Sequence, residues 1–136
     1  MAVETPAALR QVVAERAHGR CEYCRLSEAL VDHPHEPDHI IPKQHQGETS
    51  AENLALACFR CNRYKGPNVG SFDPETGELV RFYNPRHDSW HDHFRLEESV
   101  MQPRTPQARV TVMILRLNDA GRITERRRLL TLGLYP

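Results

Sequence analysis

Cys21-Glu22-Tyr23-Cys24, then Asp38-His39-Ile40, then Cys58-Phe59-Arg60-Cys61-Asn62-Arg63-Tyr64-Lys65-Gly66: this stretch says most about the architecture of the chain. Two Cys-x-x-Cys knuckles bracket a carboxylate beside a histidine, and the second knuckle runs directly into an amide and a lysine. Two intervening residues let paired sulfurs reach one metal from a tight turn, and four thiolates complete tetrahedral zinc with no open position. Such a site is structural. The chain has no fifth cysteine, and paired spacing twice over favours a four-cysteine zinc cage over ordinary buried or redox thiols. The gap from Cys24 to Cys58 is longer than a plain zinc ribbon needs, so a structured insert is expected there, clamped at both ends.

At 136 residues the chain fits one domain, or a small domain with a C-terminal extension. The bracketed stretch is too short to build a generous apolar core, and a metal staple compensates for that. No positively charged apolar leader and no membrane-length apolar run stands in the sequence. A cytoplasmic protein with reduced thiols available to zinc is therefore expected, rather than a disulfide protein. The 18 Lys+Arg balance 18 Asp+Glu overall, yet residues 1–100 hold 11 against 16 and residues 101–136 hold 7 against 2. The tail reads either as a basic surface for a polyanion or as a solvated arginine-rich helix. Its candidates for phosphate contacts are Arg104, Arg109, Arg122 and Arg126 to Arg128.

Thr5-Pro6 has the chemistry of a helix start, with Ala8 to Ala17 at helical spacing and Gly19 as a stop. His39-Ile40-Ile41 reads as a strand ended by Pro42, residues 43–50 as a loop, and Asn53 to Ala57 as a second strand. Arg60 to Lys65 reads as a short helix closed by Gly66-Pro67. Beyond it, residues 73–78 are turn chemistry and Leu79 to Tyr83 a strand. Asp88 to Leu96 is expected to be helical, Thr105-Pro106 to open a helix through Val110 to Leu117, and Ile123 to Leu130 to form a last basic helix.

In this order and spacing the residues resemble the zinc-knuckled HNH endonucleases. The match runs through Cys21-x-x-Cys24, Asp38-His39-Ile40-Ile41-Pro42, Gly47, Asn53-Leu54 and Cys58-x-x-Cys61-Asn62-x-x-Lys65-Gly66, with Asn53 14 positions after His39 and Asn62 9 after Asn53. The resemblance implies an α+β fold: a ββα-metal (His-Me finger) nuclease core stapled by the four-cysteine zinc site, with helical additions at both ends. Residues 1–70 would be the nuclease domain and residues 71–136 an extension, of hairpin and helices, packed on it. It implies His39 as general base, Asn53 as the residue that holds the His39 ring, and Asp38 and Asn62 as ligands of a catalytic ion. With Asn62 where many relatives carry a histidine, the chain is an HNN variant, and an amide oxygen favours Mg2+ or Mn2+ there. Lys65, His45 and Arg63 are the expected nucleic-acid contacts, and double-stranded DNA the expected partner. Gln46-Gly47 stands where relatives often carry Gly-Gly, so a stiffer loop is expected.

The chemistry of the residues agrees with that reading. Phosphodiester hydrolysis needs a deprotonated water and relief of phosphate charge, which a histidine near its ordinary pKa and a hard divalent cation supply. Adjacent strand residues face opposite sides, so Asp38 and His39 can share a site only at a strand's edge. Asn84-Pro85-Arg86 through Phe94 is similar to the segment that follows the motif in small bacterial HNH proteins. His87 and His91 there have i, i+4 spacing, while Trp90 and Phe94 read as core anchors. The alternative from another class is an inactive zinc-stapled nucleic-acid-binding module. No coiled-coil seam marks an oligomer interface.

Overall fold

A computed structural model describes residues 5–136 and consists of small antiparallel strands and short helices. Helix α1 (Ala7–Arg16) starts one residue later than its sequence suggests. Pro6 occupies the cap with an extended ψ of 145°, and no side chain caps the helix. Its end is as read, with Gly19 in the left-handed region at φ +70° and its N–H bonded to Ala14 O at 3.0 Å.

Strands β1 (Glu36–His39) and β2 (Leu54–Ala57) pair antiparallel, with Asp38 opposite Ala55 and His39 opposite Leu54. Both faces of β2 are covered, and its alternation explains how. Leu54 and Leu56 pack with Val13 of α1, flanked by Leu9, Ala14 and Ala17. The small Ala55 and Ala57 face the other way, into the larger core that contains all four cysteines, Tyr83, Phe94 and Met101. Large residues fill the gap under the helix, and alanines leave room for the knuckles. Helix α2 (Phe59–Lys65) follows β2 at once, with Cys58 as its N-cap.

Between the paired strands the chain makes two single turns, Lys43–His45 and Ala51–Asn53. Gln46 is left-handed at φ 69°, and a Cβ on Gly47 would lie 1.6 Å from Ile41 O. Glycine at 47 is required by close approach of backbone to backbone.

The second half adds two further hairpins, β3 (Gly70–Phe72) with β4 (Leu79–Arg81), and β5 (Phe94–Glu97) with β6 (Val100–Pro103). The expected helix over Asp88 to Leu96 is cut to one turn, α3 (Trp90–His93), and β5 takes its end. Phe94 is buried at the start of β5 and Arg95 is exposed after it, a period-2 pattern that helical propensity had masked. Trp90 and Phe94 do serve as anchors: their rings lie 5.1 Å apart, and Trp90 Nε1 donates to Tyr23 O at 3.0 Å. Helix α4 (Pro106–Ile114) is capped by Thr105, which accepts from Ala108 N at 3.1 Å, as its sequence implies. Helix α5 (Ala120–Thr131) is longer than expected. The Asn84-Pro85-Arg86 segment staples the halves together, since the Arg86 guanidinium donates to Glu22 inside the first knuckle. Among the described residues no helix is long and apolar enough to cross a membrane.

Candidate metal centre and catalytic cleft

The four cysteine sulfurs lie within 4.8 Å of one another and all four residues are buried. Cys24 Sγ and Cys58 Sγ are 3.7 Å apart, while a tetrahedron with zinc–sulfur bonds of about 2.3 Å has edges of about 3.8 Å. In each knuckle a backbone N–H points back at the first sulfur, Cys24 N to Cys21 Sγ and Cys61 N to Cys58 Sγ, both at 3.4 Å. The cluster has the donors, spacing and dryness of a structural zinc site. Among the described residues it is also the only group of three or more such ligands, and neither His87 nor His91 belongs to it. His93 Nδ1 instead pairs with the Thr105 hydroxyl at 2.6 Å.

Asp38, His39 and Asn62 line one cleft, together with Lys43 and Pro67. His39 is the last residue of β1, opposite Leu54, and it lines the cleft with Asp38 although neighbouring strand residues face opposite sides. Asn62 comes from the first turns of α2, which Cys58 and Cys61 anchor. The knuckle thus sets where the amide sits.

Asp38 is buried and closely held. Tyr23 Oη donates to its Oδ2 at 3.0 Å, and Lys65 Nζ lies 3.1 Å from Oδ2 and 3.4 Å from Oδ1. Burial pushes the Asp38 carboxyl above its ordinary range, with the Lys65 ammonium and the Tyr23 hydroxyl acting against it. Tyr23 itself is pushed well up, first by burial and then by Asp38. Lys65 also donates to His39 O at 2.8 Å, and at 1% exposure it has no face for a phosphate. The expected phosphate contact is instead the internal counter-charge of Asp38.

The His39 ring contacts Thr49, Nε2 to Oγ1 at 2.8 Å. The expected bond from Asn53 is replaced: its amide accepts from Ile41 N at 2.9 Å and donates to Ile41 O and Glu48 O at 2.9 and 2.8 Å. Asn53 closes the loop, and the loop brings Thr49 to the ring. Burial pushes the His39 imidazole down; Asp38 opposes this, and Lys43 and Lys65 add to it. The ring therefore favours its neutral form, the one that can accept a proton.

Of the expected surface contacts, His45 is exposed, with Nε2 3.0 Å from Pro67 O beside the cleft. Arg63 is exposed and lies 5.8 Å from the Phe59 ring. Lys43, exposed and lining the cleft, was passed over in the sequence, though it directly follows the Asp-His-Ile-Ile-Pro run.

Several arginines assigned to phosphate contacts face inward. Arg109 forks onto Asp73 at 2.9 and 2.8 Å. Arg126 donates to Ser99 O at 2.8 Å and to Leu117 O at 2.5 Å, and Arg122 reaches the cysteines. Arg104, Arg127 and Arg128 are exposed, so the basic tail divides between internal contacts and surface charge.

A carboxylate and an amide on one cleft, next to a neutral histidine and behind a thiolate cage, form a pattern specific enough to compare with known proteins. Residues 21–68 match the HNH endonuclease family. A stretch of 53 residues is 40% identical to CRISPR-associated endonuclease Cas9 of Corynebacterium diphtheriae, covering 38% of this chain and 5% of that protein. The chain thus corresponds to a small part of that relative. No solved structure matches the chain significantly. Within the matched segment, Asp38 and Asn62 offer hard oxygen donors of the kind that suits Mg2+ or Mn2+ better than zinc. Tyr23 and Lys65 crowd Oδ2, while Oδ1 carries only the longer contact. Oδ1 is thus the less engaged oxygen of Asp38, and with the Asn62 amide on the same cleft the donor chemistry fits such a group.

Proposed function

We propose that this chain is a divalent-metal-dependent endonuclease that hydrolyses phosphodiester bonds of double-stranded DNA. The reading rests on the cleft shared by Asp38, His39 and Asn62, within a segment akin to endonucleases. In this reading β1, β2 and α2 are the core of a ββα-metal fold, residues 1–70 form the nuclease domain, and residues 71–136 pack on it as an extension. Zinc in the cysteine cage shapes the scaffold, and the reduced thiols this needs suit a cytoplasm.

His39 acts as general base. With Nε2 engaged by Thr49, Nδ1 is the nitrogen left to take a proton from water as the water oxygen attacks phosphorus. The bond from phosphorus to the 3′ oxygen breaks, that oxygen takes up a proton, and a 5′-phosphate remains. Mg2+ or Mn2+ held by Asp38 and Asn62 would offset phosphate charge and assist the leaving oxygen. Tyr23 and Lys65 orient the Asp38 carboxylate from behind. Lys43, with His45 and Arg63 farther out, contacts DNA phosphates.

A plasmid-nicking assay with Mg2+ or Mn2+, run on the wild type and His39→Ala, tests this. We expect metal-dependent nicking that falls at least about 100-fold in the variant, the usual size of a general-base contribution. Equal nicking by both proteins would remove His39 from the role. DNA binding without cleavage by the wild type would make the chain a binding module.

A further inference from the structure

Arg122, on α5, is buried and touches the cysteine cage. Its Nη2 donates to Cys61 Sγ at 3.1 Å and lies 3.9 Å from Cys58 Sγ. Its other nitrogen, Nη1, donates to Leu115 O at 2.9 Å, at the C-terminal end of α4. A guanidinium has donors only and keeps its charge, so the sulfur facing it must offer electron density. A neutral thiol is a poor acceptor, whereas a metal-bound thiolate is a good one. Four thiolates around Zn2+ carry a net charge of about −2 in a dry core, where an uncompensated charge is costly. Arg122 is positioned to halve it.

We propose that Arg122 belongs to the metal centre as a positioning residue. Its guanidinium hydrogen-bonds the second-knuckle thiolates and offsets the cage's charge, so that the C-terminal helix α5, more than 50 residues beyond the last cysteine, governs metal retention. The extension is then a lid on the cage. Arg126, one turn further along α5, provides the matched control: it is as buried as Arg122, but its donors go to oxygen atoms alone.

The test uses the full chain loaded with cobalt(II), whose sulfur-to-metal charge-transfer band reports electron density on the thiolates, and with zinc, whose loss to a colorimetric chelator is timed. Arg122→Met should move the band to lower energy and speed zinc loss about 10- to 100-fold, the usual effect of losing an outer-shell partner. Arg122→Lys, which keeps the charge without the fork, should fall between. Arg126→Met should lower thermal stability yet keep the wild-type band and zinc-loss rate. A wild-type band and rate in Arg122→Met, or equal changes in Arg126→Met, would overturn the proposal. If Arg122→Met does not fold, Arg122→Gln replaces it: its amide can still bond to Leu115 O, and an unchanged band and rate there overturn the proposal equally. The proposal rests on the cysteines holding zinc, so a wild type without a cobalt–thiolate band would overturn both.

Discussion

Removing Lys65 should be among the most damaging single changes in the chain, and removing Asp38 as well should cost far less than the two changes summed. The ammonium and carboxylate sit 3.1 Å apart with side-chain exposures of 1% and 6%. At an effective dielectric of about 20 their attraction is about 5 kcal/mol, set against the cost of taking both ions out of water. Lys65→Met leaves Asp38 buried with Tyr23 alone, a change of the kind that costs about 3–5 kcal/mol. For a domain of this size that lowers the melting temperature by roughly 10–20 °C. Asp38→Leu strands the ammonium and should cost a similar amount. The double variant strands neither, so a thermal or urea double-mutant cycle should return a coupling energy of about 3 kcal/mol. Acidity supplies a second signature. With Lys65 gone, burial raises the Asp38 carboxyl against weaker opposition, so this group binds a proton on folding. The Lys65→Met deficit should therefore be greatest near pH 7–8 and shrink as pH falls through the raised folded-state pKa. Additive single variants, with coupling below about 0.5 kcal/mol, would refute the reasoning.

Thr49→Val, nearly isosteric, should leave the fold intact and lower the nicking rate about 10-fold by freeing the His39 ring, equivalent to about 1.4 kcal/mol; an unchanged rate would remove Thr49 from ring positioning. Gly47→Ala should cost about 1–3 kcal/mol in thermal unfolding and depress nicking with it, because the added carbon meets Ile41 O. The acidic limb of the nicking profile should lie below about pH 6.5, the ordinary histidine value, since burial pushes His39 down; a limb centred above 7 would contradict that. His39 has the same sign in folding, contributing stability above its unfolded pKa that is lost as pH falls through the folded one. Stripping zinc with a thiol-competitive chelator should abolish nicking, with recovery on adding zinc and none on adding excess Mg2+.

What could be read from the sequence is what spacing alone encodes. Both knuckles, the Asp38-His39 pair and the Asn62 position follow from short intervals along the chain, and the structure gathers them as spacing implies. The β5–β6 hairpin was hidden because Glu98-Ser99 lacks the glycine or asparagine that marks such turns, although Glu98 adopts φ 55°. The long side chains were least legible. Lys65, Arg109, Arg122 and Arg126 look alike as surface charge in a sequence. Their destinations depend on which carboxylate, carbonyl or sulfur comes within reach once distant elements pack. Asn53 was misread for a related reason, since its motif position says that it matters and only the loop geometry says to what.

The cage and the cleft share no lining residue, yet they are not independent. Tyr23 lies between Cys21 and Cys24, and its hydroxyl holds Asp38; the knuckle that grips the metal therefore also aims the carboxylate. Lys65 and Asn62 ride on α2, whose first turn contains Cys61 and whose cap is Cys58. Both neighbours of Asp38 thus reach it from segments tied to the cysteines, one from each knuckle. A shift of either knuckle moves a partner of a buried charge, and a buried charge tolerates little misalignment before it prefers protonation to exposure. In the proposed mechanism the scaffold metal would then act on the chemistry through the ionisation of Asp38, and a site with no open coordination position would decide whether the neighbouring cleft holds an ion.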